Sequence, residues 1–207
     1  MPLFTLLDYS SVLVFGLTGA LVASRAQLDI VGFFFFACFT AVGGGTVRDV
    51  LLDRNPVFWI EDPSYLALAC GAAFLVFFSA HMFESRYKLL LWLDAFALAI
   101  AVAAGSGVAQ ALDQSAPIVL VMGIITGSMG GLLRDVISNE VPLVLKQGEL
   151  YVTCALAGSA ATVAMSYLGF SPSLMALACA VVTFTLRAGS IAMGWRLPIY
   201  KSRPPKP

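Results

Sequence analysis

Seven stretches of about 20 mostly apolar residues, at 5–23, 30–52, 64–82, 89–112, 117–137, 150–168 and 173–195, take up most of this chain. A helix rising about 1.5 Å per residue needs about 20 such residues to cross about 30 Å of hydrocarbon, so each stretch reads as a membrane span. Charged or proline-bearing joints such as Asp53-Arg54-Asn55-Pro56 and Glu84-Ser85-Arg86-Tyr87-Lys88 separate them. Pro117 and Pro172 break the chain at its two shortest joints, 113–116 and 169–172. Only 12% of the 207 residues are charged, about half the share in a soluble domain. The first stretch has Asp8 and no preceding positive charge, so it reads as a retained helix rather than a secretion signal.

Seven spans put the two termini on opposite sides. Arg25, Arg86, Lys88, Lys146, Arg196, Lys201, Arg203 and Lys206 fall on one side and Arg54 alone on the other. The excess of basic residues on cytoplasmic loops then places the C-terminus inside and the N-terminus outside. The basic, proline-rich tail 201–207 is expected beside anionic lipid headgroups. Basic and acidic residues balance to zero net charge, which argues against nucleic acid as a partner. Cys38, Cys70, Cys154 and Cys179 lie inside spans with no Cys-x-x-Cys spacing and are expected to pack as buried thiols.

The chain matches itself at a constant offset of 86 residues. Leu7-Asp8 falls on Leu93-Asp94, Gly19 on Gly105, Thr40 on Thr126, Pro56 on Pro142 and Tyr65 on Tyr151. The densest match sets Gly44-Gly45-Thr46-Val47-Arg48-Asp49-Val50 on Gly130-Gly131-Leu132-Leu133-Arg134-Asp135-Val136. Apolar composition alone does not generate a matched Arg-Asp pair. Each copy holds three spans, so the second must cross the membrane inverted, as in many transporters. The expected fold is an all-α membrane protein: a first three-helix repeat at 1–83, its inverted copy at 84–169, and a seventh helix with the basic tail at 170–207.

Spans two and five carry the chemistry. Ala37, Ala41 and Gly45, and Gly123, Gly127 and Gly131, make small-residue faces at a spacing of four that a neighbouring backbone can approach. The run Gly43-Gly44-Gly45 and the pair Gly130-Gly131 further predict kinks, because adjacent glycines weaken a helix. Kinked backbone at membrane depth needs water or protein partners, hence a wet path. Arg48, Asp49, Arg134 and Asp135 are four ionisable groups in apolar spans, each costing roughly 2.5–3.5 kcal/mol to insert. They read either as an inter-helix lock or as the charged gate of a polar path. Adjacent helical residues diverge by about 100°, so Arg48 is expected to reach another helix rather than Asp49.

Thr40, Thr126 and Ser128 offer hydroxyl oxygens on the same helices, unless they bond their own backbone. Asp8 and Asp94 lie near the starts of spans one and four, as dipole-stabilised acids or as acids at a path entrance. Arg187, near the end of span seven, is expected to snorkel to the interface, and His81 to lie at the interface. No phosphate loop, zinc helix or nucleophile turn is present in the sequence. No enzyme, cofactor or structural metal site is therefore expected.

Gly43-Gly44-Gly45-Thr46-Val47-Arg48-Asp49 and Gly127-Ser128-Met129-Gly130-Gly131-Leu132-Leu133-Arg134-Asp135, in a three-plus-three-plus-one plan, resemble the bacterial branch of the trimeric intracellular cation channel (TRIC) family. The resemblance spans nearly the whole chain. It implies a homotrimer in the bacterial inner membrane. Each protomer would have an hourglass pore for potassium or sodium, pinched near spans two and five at Gly44, Gly45, Arg48, Asp49, Gly130, Gly131, Arg134 and Asp135. The only ions it implies are transient monovalent cations, and the only other partner is membrane lipid. Animal members resemble the chain less in their basic pore motif, so phosphoinositide regulation does not carry over. The alternative is a carrier of glycine or another small amino acid, since half-helix ends and arginines also suit a zwitterion.

Overall fold

A computed structural model describes residues 2–82 and 85–198. They form α1 (Pro2–Arg25), α2 (Ile30–Leu51), a four-residue α3 (Phe58–Glu61), α4 (Ser64–Ser79) with a 3₁₀ turn at Ala80–Met82, and α5 (Arg86–Ala111). After these come α6 (Ala116–Ile137), a 3₁₀ turn at Leu143–Leu145, α7 (Val152–Tyr167) and α8 (Pro172–Met193). Six helices, counting α4 with its 3₁₀ turn, are long and apolar enough to cross a membrane, and α7 is a shorter apolar helix. The architecture is seven membrane helices in an inverted three-plus-three arrangement with α8 added. Glu84 and the tail positions Lys201, Arg203 and Lys206 lie outside the described residues.

The bundle is apolar on the outside and partly polar within. Phe35, Phe74, Leu75, Phe78 and Leu177 are more than half exposed, whereas Arg48, Arg134 and Arg187 are fully buried. Lipid tails are as apolar as leucine, so close contact rather than water exclusion holds such helices together. α1 packs on α2, α4 and α5, and α2 crosses α6 at the centre.

Local chemistry explains the helix ends. Asp29 caps α2 by accepting from the Gly32 amide at 2.8 Å, and Gly194 ends α8 at φ +71°. Among the described residues, the non-glycine residues with left-handed backbone are Gln27, Asp53, Asp113 and Asn139. They form two pairs at the 86-residue offset. In each, the following amide closes the preceding helix: Leu28 N on Ala23 O, Arg54 N on Asp49 O, Gln114 N on Ala109 O and Glu140 N on Asp135 O, at 2.8–3.1 Å. Backbone shape thus repeats where side chains have diverged.

The expected kinks are absent as helix breaks: α2 and α6 run unbroken through Gly43-Gly44-Gly45 and Gly130-Gly131. These glycines serve contact instead. A Cβ on Gly44 would overlap the Thr126 carbonyl oxygen, and one on Gly130 would stand 2.6 Å from the Thr40 carbonyl oxygen. Residue 44 against 126 and 130 against 40 is an antiparallel crossing with the repeat axis between the two contacts. The next layer has the same form, with Gly19 against Thr40 and Phe36 and Gly105 against Thr126 and Met122.

Candidate functional site

Each Arg-Asp pair sits in the last turns of its helix, at opposite ends of the α2–α6 crossing. At the first end Arg48 is fully buried. Its Nε donates to Asp49 Oδ1 at 2.8 Å, and its Nη1 and Nη2 donate to the two oxygens of Asp8 on α1 at 2.7 and 3.3 Å. Asp49 Oδ1 also accepts from Arg54 Nη1 at 2.9 Å, and its Oδ2 accepts from the Phe58 amide at 3.0 Å. Asp49 therefore ties the end of α2 to the start of α3. At the second end Arg134 Nε donates to Asp135 Oδ1 at 2.8 Å and Nη1 to Asp94 Oδ1 on α5 at 3.0 Å. Asp135 Oδ2 accepts from the Leu143 amide at 2.9 Å. A buried arginine satisfied by two carboxylates avoids the large penalty of a lone charge in a dry interior.

Several expectations change. Arg48 and Arg134 do reach another helix, but each also pairs with its adjacent aspartate, because the long guanidinium stem folds back over the helix end. Asp8 and Asp94 are not first-turn acids: α1 and α5 begin at Pro2 and Arg86, which puts both in the second or third turn as ion-pair partners. Arg187 does not snorkel. It is fully buried, with Nη2 2.9 Å from Glu149 Oε2 and its guanidinium 5.0 Å from the centre of the Tyr151 ring. Thr40, Thr126 and Ser128 donate to their own helices, at Phe36, Met122 and Ile124 carbonyls. Their oxygens keep acceptor capacity only. Cys154 and Cys179 are buried, but Cys38 and Cys70 are only partly buried, with sulfurs 3.6 Å apart. His81 is exposed at the end of α4.

A cavity of about 360 Å³ opens at the first end and is lined by Asp8, Arg54, Glu61, Asp62 and Tyr65 among others. Three acids face one base there. The Ser64 and Tyr9 hydroxyls donate to Asp62 and hold its carboxyl below the ordinary aspartate range. A separate space of about 10 Å³ lies among Asp8, Gly44, Gly45, Phe58 and Thr126, about the room one water needs. The expected site residues of the first half, Asp8, Gly44, Gly45, Arg48 and Asp49, thus converge below an acidic mouth. In the second half Gly131 faces Asp94 and Tyr151, 3.3 and 3.4 Å from where a Cβ would stand.

The structure of a TRIC channel orthologue from Rhodobacter sphaeroides superposes with a TM-score of 0.90 at 41% identity, covering 94% of this chain and all of that one. The chain belongs to the trimeric intracellular cation channel (TRIC) family. A second solved TRIC cation channel gives a TM-score of 0.85 at 29% identity over 97% of this chain and 98% of the other. A family model described as Glycine transporter matches twice, at residues 5–81 and 91–167, the same 86-residue displacement found in the sequence. Among curated relatives, a UPF0126 membrane protein from Vibrio cholerae is 37% identical over 96% of this chain and 83% of its own length. The UPF0126 inner membrane protein YadS from Escherichia coli K12 is 37% identical over 94% of each chain.

Proposed function

We propose that this chain is a multi-pass bacterial inner-membrane channel for monovalent cations, with an hourglass pore in each protomer of a homotrimer and its N-terminus outside. The observation that carries the reading is the first-end cavity, where Asp8, Glu61 and Asp62 outnumber Arg54 beside a water-sized space. An acid-lined mouth with low-dielectric walls concentrates cations. The constriction lies at the α2–α6 glycine contact, where Arg48, Asp49, Arg134 and Asp135 hold the two ends shut. The relatives titled as cation channels support the same reading.

The test is single-channel recording of the purified protein under a potassium chloride gradient. Discrete currents reversing near the potassium equilibrium potential are expected. Silence from folded protein, with saturable uptake of labelled glycine, would move the chain to the carrier reading that the family description favours.

The mouth also makes a pH prediction. Asp62 is held below its ordinary value near about 3.9, so its charge, and the cation enrichment it provides, persists as pH falls until that lowered value is crossed. Ser64→Ala removes the largest source of the lowering. Acid-induced loss of conductance should then begin at higher pH than in the parent. Superimposable pH curves would show that Asp62 does not set the mouth's potential.

A further inference from the structure

The two ends differ in one respect that the repeat does not explain. At the first end four charges balance: Asp8, Arg48, Asp49 and Arg54. The residue matching Arg54 at the 86-residue offset is Glu140, and it turns away to pair with Arg25 at 3.0 Å. The second network, Asp94, Arg134 and Asp135, is left one negative charge in excess. Its hydrogen bonding is thinner too. Arg48 grips Asp8 with two nitrogens, but Arg134 Nη2 and Asp94 Oδ2 have no hydrogen-bond partner among the described residues.

A second difference lies beside it. Tyr65 is covered by Tyr9, stacked at 4.0 Å between ring centres. The residue matching Tyr9 is Ala95, too small to cover Tyr151. Arg187 on α8, which lies outside the repeat, stands 5.0 Å from the centre of the Tyr151 ring instead. The hydroxyl end of Tyr151 reaches toward Gly131 and Asp94, so the charges of Asp94, Arg134 and Arg187 all act on this one side chain.

We propose that Arg187 is a positioning residue of the second gate, standing in for the cation that Arg54 supplies to the first, and that α8 thereby sets how firmly that end closes. This rests on the channel reading above. Glu149, which also pairs with Arg187, is 30% exposed and partly screened by water, whereas Tyr151 connects Arg187 to the buried network, its ring 5.0 Å from the guanidinium and its hydroxyl toward Asp94. The segment after α8 fastens the arrangement from behind. The Arg196 and Glu149 backbones meet in an antiparallel β-bridge, the Leu197 amide donates to the Gly148 carbonyl at 2.9 Å, and the Trp195 ring packs on Gly189 two residues from Arg187. The loop bearing Glu149 and Tyr151 is therefore held by the chain that follows α8.

The test compares single-channel open probability in the parent, Arg187→Gln, Arg187→Lys and Glu149→Gln, with thermal stability measured alongside. Arg187→Gln should raise open probability roughly tenfold, within the usual range of coupling between sites, at unchanged unitary conductance, and Arg187→Lys should restore much of the closure. Glu149→Gln frees the arginine's charge for Asp94 and should lower open probability. A merely structural pair would move both variants in the same direction, in step with stability, and that result overturns the proposal. So does parental gating in both. If Arg187→Gln does not fold, the partly exposed Glu149→Gln still decides. A silent parent protein instead sinks the channel reading, and the gate with it.

Discussion

Arg134→Met is expected to lower the stability of the detergent-solubilised protein by about 3–5 kcal/mol, the usual cost of removing one partner from a buried ion network. Asp94 is fully buried and Asp135 nearly so, with Arg134 as the only cation in salt-bridge contact with either among the described residues. Methionine fills much of the volume but leaves two carboxylates with no cation in salt-bridge contact. Asp135 is also committed to the Leu143 amide, so protonating it to relieve the repulsion weakens the turn into α7. Arg48→Met should cost less, because Arg54 still neutralises Asp49 and Asp8 borders the cavity. The midpoint of thermal unfolding, followed by tryptophan fluorescence, gives the order. Equal losses at the two ends would contradict the charge count made for each.

Gly44→Ala should produce the second large effect. The added methyl meets a backbone carbonyl, that of Thr126, which cannot rotate away as a side-chain tip can. Relief requires α2 and α6 to separate, and overpacking of this kind costs about 1–3 kcal/mol, more than the gain of about 1 kcal/mol from replacing a mid-helix glycine. Gly130→Ala makes the matching clash with Thr40 across the same crossing. Once one methyl has parted the helices the second adds little, so the double variant should fall short of additivity. Gly71, an exposed α4 residue with nothing within 4 Å of its Cβ position, is the control and should tolerate alanine without loss. Channel recordings on the same variants should show changed conductance or open probability, since a water-sized space borders Gly44.

Much of this architecture was legible in the amino-acid order. The spans follow from length and hydropathy. The repeat follows from charges that an apolar helix has no reason to carry unless they meet partners. The glycines were harder. A run of three in a helix is compatible with a break or with an intimate contact, and only the partner surface decides; here that surface is the carbonyl row of the opposite helix. Asp8 and Asp94 were within reach, since two buried arginines called for acids from another helix and these two aspartates share the arginines' repeat offset. Arg187 was not, because it lies outside the repeat and no matching position pointed to it. The partly buried pair Cys38 and Cys70 was hidden for a different reason: 32 residues apart in sequence, they meet only through the packing of α2 on α4.

The antiparallel crossing of α2 and α6 also bears on descent. A single three-helix unit could make that contact only with a copy of itself inserted the other way up. Such an ancestor would have to enter the membrane in both orientations, which requires loops with almost no charge bias. Joining two copies in one chain removes that requirement and lets each half fix its own orientation. Arg54 and Glu140, one position with opposite charges in the two halves, show how far two joined copies can diverge in charge.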